Sequence, residues 1–150
     1  MGILNDLQGG PVALDSSIFI YFMEENPRFL PIVEPIFSAI DEGDLEAATS
    51  SLTLLETLVL PLRSGNREVA DRYEAFLTRS RGLRLIPADL GLLRVAAHVR
   101  AIARIKTPDA LQVASALVAG CSVFVTNDHR LPPLPGLRVL QVEDYLPSDG

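Results

Sequence analysis

Val12-Ala13-Leu14-Asp15-Ser16-Ser17-Ile18-Phe19-Ile20-Tyr21-Phe22-Met23-Glu24-Glu25 is the stretch on which the reading of this chain turns. Three apolar residues follow Gly9-Gly10-Pro11 and predict a short buried strand that ends on an acid. Residues 16–25 predict a helix, stopped by Asn26 ahead of Pro27. The same alternation runs outward through the rest of the chain. Helices are predicted over residues 29–43, from Ser50 or Ser51 to about residue 60, after Asn66, over residues 89–104, and from Thr107 to Gly120. Strands are predicted over residues 45–49, 83–86, 122–126 and 137–140, with a short helix near residues 142–146. Most strand cores are continuous apolar runs, which predicts an α/β fold with a parallel sheet of about five strands covered by helices on both faces. In such sheets, ligands bind beyond the carboxyl ends of the strands. No repeat or linker divides the chain, so residues 1–150 read as a single domain.

The bulk properties exclude several classes. A hydrophobic fraction of 48% is too high for a disordered chain. A net charge of −6 argues against a protein that coats nucleic acid by charge alone. It leaves room for an enzyme whose acids are gathered around cations. The single cysteine, Cys121, excludes an internal disulfide and a cysteine-based zinc cluster, and its apolar surroundings predict a buried thiol. The N-terminal residues lack the pattern of a signal peptide, and no run approaches the roughly 20 apolar residues of a membrane span. A cytoplasmic protein without membrane attachment is expected.

Four acids stand out. Asp15 ends the first strand and is equally suited to cap the next helix. Asp128 follows Val123-Phe124-Val125-Thr126-Asn127, where a turn residue would also be at home. Asp109 in Thr107-Pro108-Asp109 suits the positive end of a helix capped by Thr107. Glu56 is the only charge in Ser51-Leu52-Thr53-Leu54-Leu55-Glu56-Thr57-Leu58-Val59-Leu60. It shares a helical face with residues 52, 55 and 59, so a carboxylate is expected on an apolar stripe, where an unpaired charge is costly. The competing reading is a capping box from Thr53 to Glu56. Three of these acids fall after strands or on a helix opening at the same sheet edge, and Asp109 opens another helix. Four carboxylates that meet there would repel one another and demand cations. An all-oxygen donor set suits magnesium or manganese, ions used for phosphodiester hydrolysis.

These segments resemble the PIN domain family, and especially its VapC-type toxin branch. The resemblance covers nearly the whole chain in element order. It is carried by Val12-Ala13-Leu14-Asp15-Ser16-Ser17, by Ser51-Leu52-Thr53-Leu54-Leu55-Glu56, by Lys106-Thr107-Pro108-Asp109-Ala110-Leu111-Gln112-Val113-Ala114-Ser115-Ala116-Leu117, and by Val123-Phe124-Val125-Thr126-Asn127-Asp128. The third of these is the most specific. Gln112 is a departure, because a histidine is frequent there. The resemblance implies a Rossmann-like three-layer sandwich and a magnesium- or manganese-dependent endoribonuclease acting on RNA. It also implies a homodimer, and in the toxin branch an antitoxin whose peptide enters the active-site groove. Under it, Asp15, Glu56 and Asp109 hold the main ion, directly or through water, and Asp128 completes a second site or orients a water.

Around those four, Ser16 and Thr126 are candidates to hydrogen-bond a ligand carboxylate or a water, each with a bland alternative as a helix cap or strand end. His129 and Arg130 are placed to touch phosphate or to form a plain surface loop. Basic strips are expected at Arg63, Arg67 and Arg72, and at Arg100, Arg104 and Lys106. Ile18, Phe19, Tyr21, Phe22, Phe29 and Phe37 are either core or a contact face for a second copy or an antitoxin. The main alternative is a non-catalytic PIN-fold scaffold or RNA-binding domain, against which the full set of four acids speaks. A phosphotransfer receiver needs a second acid beside the first and a lysine after a late strand; here Asp15 precedes Ser16-Ser17 and Lys106 is the only lysine. An aspartyl-nucleophile phosphatase needs an acid two residues on, where Ser17 stands.

Overall fold

The computed structural model describes residues 2–148. Five strands form one sheet: β1 (Val12–Leu14), β2 (Ala47–Ser50), β3 (Leu83–Ile86), β4 (Val123–Thr126) and β5 (Arg138–Gln141). Their spatial order is β3-β2-β1-β4-β5, and every neighbouring pair is parallel. The chain first winds from β1 through β2 to β3, then returns to the other side of β1 for β4 and β5. The winding therefore reverses between β1 and β4, which opens a crevice at their carboxyl ends.

Six helices cover this sheet: α1 (Ser16–Met23), α2 (Leu30–Asp41), α3 (Leu52–Arg63), α4 (Arg67–Arg79), α5 (Leu90–Ala103) and α6 (Thr107–Val118). The predicted elements are all present, with ends shifted by a few residues. The predicted helix ending near residue 60 instead runs through Pro61 to Arg63. The cap expected of Thr107 falls to Lys106, and Thr107 is the first helical residue. A 3-10 turn over Ile3–Leu7 was not foreseen, and the expected tail helix is a 3-10 turn over Val142–Tyr145.

Side chains alternate across the sheet and build two cores. Val12, Leu14, Val123 and Val125 point to the layer of α1, α2 and α4, where they meet Ile18, Phe19, Val33, Ile36, Phe37 and Leu77. Ala13, Ala48 and Phe124 face α5 and α6, against Ala110, Val113 and Ala114. The alanines on both sides of this second core let α6 lie close to the sheet. The choice left open by the aromatic residues is resolved toward core. Ile18, Phe19, Phe29 and Phe37 are buried, and Tyr21 and Phe22 pack on them. Exposed apolar residues lie elsewhere, at Leu55, Val59, Leu60 and Leu62 of α3 and at Leu90, Leu93 and Ile102 of α5. Cys121 is buried as expected, and burial pushes its thiol up to about 11.

Phe19 is fully enclosed and meets Phe37 and Phe76 edge-on, at centroid distances of 5.3 and 6.4 Å. Phe19→Ala should cost about 3–5 kcal/mol in urea unfolding, the usual loss for a truncated core aromatic. A loss under about 1 kcal/mol would show that the α1–α2–α4 layer is loosely packed.

Candidate active site

Asp15 leaves β1 and caps α1. Its backbone N–H donates to Val125 O at 3.0 Å, which seats it beside the end of β4. Its carboxylate accepts from Ser16 N at 2.7 Å and from Thr126 Oγ1 at 2.7 Å, with Ser17 Oγ at 3.4 Å. Thr126 Oγ1 also accepts from Asp128 N at 3.0 Å, so one buried hydroxyl joins the first and fourth acids. The helix-cap reading of Asp15 is thus realised, and the same carboxylate still faces the crevice acids.

Glu56 arrives from α3, which packs between α1 and α6. Its Oε1 accepts from Ser16 Oγ at 2.7 Å. The expectation that Glu56 sits on a buried apolar stripe is overturned. The buried stripe of α3 is Thr53, Thr57 and Pro61, whereas Glu56, Leu55 and Val59 are exposed. The reason lies below the helix. Thr49, Ser16 and Gln112 present polar atoms there, which Thr53 meets, while the Thr57 hydroxyl donates to Thr53 O at 2.8 Å within the helix, and Leu55 and Val59 turn outward. The capping box is also absent, since α3 starts at Leu52 with Ser51 at its N-cap, and Ser50 Oγ accepts from Leu52 N at 3.1 Å.

Asp109 stands in the first turn of α6, half-buried, within electrostatic reach of Asp15 and Asp128. Asp128 follows β4, and both of its oxygens are taken by Arg130, Oδ1 from Nε at 2.9 Å and Oδ2 from Nη2 at 3.2 Å. His129 pairs instead with Glu143 at 2.6 Å, which favours the loop reading for that residue. All of Arg63, Arg67, Arg72, Arg100, Arg104 and Lys106 are exposed, and Arg100 Nε donates to Ile105 O at 3.1 Å.

The electrostatics follow from this crowding. Burial raises the Asp15 carboxyl above its ordinary value, and Glu56 and Asp128 push it the same way against the hydrogen bonds of Thr126 and Ser16. Burial also raises Asp109, helped by Asp128 and Asp15 and opposed by Arg130 and Lys106. The Arg130 guanidinium holds Asp128 below the usual carboxylate range. Among the described residues, no three acidic, histidine or cysteine side chains stand close enough to share one ion. Asp128 is drawn toward Arg130 and Glu56 toward Ser16, so the four carboxylates form a loose ring. Their donor chemistry still fits a hard divalent cation, because every side-chain donor is oxygen and the mutual repulsion is what such a cation relieves.

The sequence reading noted Gln112 only as a departure of minor weight and assigned no site role to the threonines of α3. Gln112 is buried and donates to both Ser16 Oγ and Thr53 Oγ1 at 2.9 Å. The signal was its position three residues after Asp109 on α6, the only amide in an apolar segment. Thr53 and Thr57, four apart in an apolar run, signalled the polar seam beneath α3 in the same way.

The sequence matches the PIN domain family over residues 12–137. The chain belongs to the PIN domain family. Its fold neighbours include chains from VapBC and other toxin–antitoxin complexes. The DNA-bound VapBC complex of Salmonella typhimurium contains a chain with 20% identity and a TM-score of 0.68, covering 89% of this chain and 99% of that one. A chain from a toxin–antitoxin complex of Klebsiella pneumoniae has 17% identity and a TM-score of 0.66, covering 87% and 97%. VapC20 of Mycobacterium tuberculosis, a toxin that cleaves the sarcin–ricin loop, has 16% identity and a TM-score of 0.63, covering 79% and 91%. No curated protein matches the sequence. Among the described residues of this PIN domain, no helix is long and apolar enough to cross a membrane.

The raised Asp15 carboxyl makes a stability prediction with a definite sign. Between its unfolded value of 3.8 and the raised native value, the native state binds more protons than the unfolded state. Stability therefore falls as pH rises through that window, and the cost is fully present above the raised native value. In the metal-free PIN domain at pH 7, Asp15→Asn should leave Tm unchanged or raise it, and the difference should fade as pH drops below 3.8. A clear fall in Tm at pH 7 would mean that the bonds from Ser16 and Thr126 outweigh the cost of the charge.

Proposed function

We propose that this PIN domain is a metal-dependent endoribonuclease and the toxin of a toxin–antitoxin pair, acting in the cytoplasm. The reading is supported by the mutual electrostatic influence of acids at the crevice where the sheet reverses its winding: Asp15 feels Glu56 and Asp128, and Asp109 feels Asp128 and Asp15. The sarcin–ricin-loop-cleaving neighbour supports RNA as the substrate. In this reading Asp15, Glu56 and Asp109 hold a magnesium or manganese ion, and Asp128 completes a second site or orients a water. A bound ion of this kind supplies Lewis-acid stabilisation of the phosphate and a more acidic water.

The chain's own residues prepare the site. Thr126 and Ser16 fix two carboxylates by direct hydrogen bonds and spare them a search through rotamers. With a net charge of −6, RNA affinity comes from cations set locally among the acids. Lys106, one turn before Asp109, and Arg130 are those cations. The alternative of a scaffold is disfavoured by the energetic cost of gathering four carboxylates, two of them with raised pKa values, for which a scaffold has no use.

The partner reading rests on the surface beside the site. Leu55, Val59 and Leu62 repeat along one exposed face of α3. Leu60 and Glu56 line a hollow of about 270 Å3 with Ile20, Met23 and Tyr73. An antitoxin peptide with apolar anchors fits that surface, as the toxin–antitoxin neighbours suggest. The exposed Ile102 of α5 and Leu117 of α6, which line one apolar hollow with Val99 and Leu134, offer a further apolar surface for a homodimer.

The purified protein with magnesium or manganese should cut RNA drawn from a panel that includes ribosomal stem-loops, and EDTA should abolish the cut. Glu56→Gln should lower manganese affinity about tenfold in calorimetry, equivalent to about 1.4 kcal/mol, and reduce cleavage with it. Unchanged affinity and unchanged cleavage would remove Glu56 from the site. A folded wild-type protein that cuts nothing across a wide panel with either ion would overturn the catalytic reading.

A further inference from the structure

The polar seam beneath the acids admits only one arrangement of protons. Thr49 Oγ1 lies 2.7 Å from Leu14 O, a carbonyl that can only accept, so the single Thr49 proton goes there. Thr49 Oγ1 is also 2.7 Å from Thr53 Oγ1, and in that contact Thr53 must be the donor. Ser16 Oγ donates to the Glu56 carboxylate at 2.7 Å. Both hydroxyl protons are then spent, yet Ser16 Oγ and Thr53 Oγ1 remain only 3.0 Å apart with lone pairs toward each other.

Gln112 resolves that clash. Its Nε2 is 2.9 Å from each oxygen, and an amide nitrogen carries two protons, one for each. The opposite amide orientation would bring a third acceptor against two oxygens with no proton to give. The orientation present also sets Oε1 toward Ser50 N at 3.4 Å.

We propose that Gln112 is a positioning residue for the acid cluster, whose amide fills the inner lone pairs of Ser16 and Thr53 and thereby commits the Ser16 hydroxyl proton to Glu56. Without the amide, Ser16 has a second use for its proton at Thr53, and the exposed Glu56 carboxylate loses its anchor. Ser16 is the hub, because its N–H holds Asp15 at 2.7 Å while its hydroxyl holds Glu56. The spacing of the first and second acids is thus set by a residue that touches neither. The effect on metal binding rests on the ribonuclease reading; the proton arrangement does not.

The first measurement is NMR on the metal-free protein. The Ser16 hydroxyl proton should be protected from exchange and lie close to the Glu56 side chain. In Gln112→Met, which keeps the length and removes the amide, that proton should lose protection, and the Glu56 carboxyl carbon should move toward the shift of a free carboxylate. Gln112→Asn, which withdraws the amide by one carbon, repeats the measurement should the methionine variant not fold. The second measurement is manganese affinity. Gln112→Met and Ser16→Ala should each weaken it about tenfold, and the double variant should be no worse than either single one. Additive losses would mean that Gln112 acts by general packing and would overturn the proposal. So would an unprotected Ser16 hydroxyl in the wild type, or a Glu56 signal unmoved in a folded Gln112 variant. Should the wild type bind no manganese and cut no RNA, the ribonuclease reading falls, while the hydroxyl and carboxyl signals still decide the role of Gln112.

Discussion

The hydrogen bond from Thr126 to Asp15 ties the carboxyl ends of β1 and β4 together at the one place where the sheet changes its direction of winding. Everything at the site depends on that junction. A parallel sheet brings all its strand ends to one edge, but only a reversal leaves two adjacent ends with their following segments departing to opposite sides. Asp15 turns into α1 on one face, and Asp128 turns into the loop toward β5. The hydroxyl between them spans the gap and accepts the Asp128 N–H as well. A valine in the same strand register would leave a buried carboxylate short of a donor and a backbone N–H short of an acceptor.

The fold was legible in the sequence because its signals are redundant. Each strand is a short apolar run with turn residues at its ends, and each helix carries spacing, caps or both. Asn66 and Asp89 accept from Val69 N and Leu92 N, the bonds that their positions predict. Boundaries moved where two signals competed. Pro61 reads as a stop, yet α3 continues to Arg63, because Pro61 is buried and the packing outweighs the lost backbone bond. Three of the four acids were legible for a different reason. They sit at strand ends or first helical turns, and topology alone brings such positions together.

Glu56 was assigned to the site through an argument that the structure reverses. Periodicity marks residues 52, 55, 56 and 59 as one face, and leucine and valine there read as buried. Hydrophobicity along a helix reports burial only if the surface beneath is apolar. Here the surface beneath α3 carries Thr49, Ser16 and Gln112, so Thr53 faces inward onto it, with Thr57 one turn on, and Leu55 and Val59 face out. The pair Thr53 and Thr57 is the one local sign of this, and the polar partners themselves come from β2, α1 and α6, far apart in the chain. Glu56 reaches Asp15 through Ser16, as a charge at the rim. The aromatic residues of α1 and α2 looked like more than one sheet face needs, yet they are core, and exposed apolar residues lie on α3 and α5.

The arrangement has an energetic consequence for the whole domain. Asp15 and Asp109 both have carboxyls raised by burial and by neighbouring acids, so ionising either group works against folding. Two devices within the chain limit that cost: Arg130 takes up Asp128, and hydroxyl donors satisfy Asp15 and Glu56. Neither reaches Asp109, which is left with Arg130 and Lys106 as its neighbouring cations. A residual strain of this kind is what a binding site requires, because a ligand that binds only the native state stabilises it by mass action. A cluster fully neutralised by arginines would be more stable and would have nothing left to offer a cation. The ring is therefore poised between the two: held in place by Ser16, Thr126 and Gln112, and left with negative charge to share.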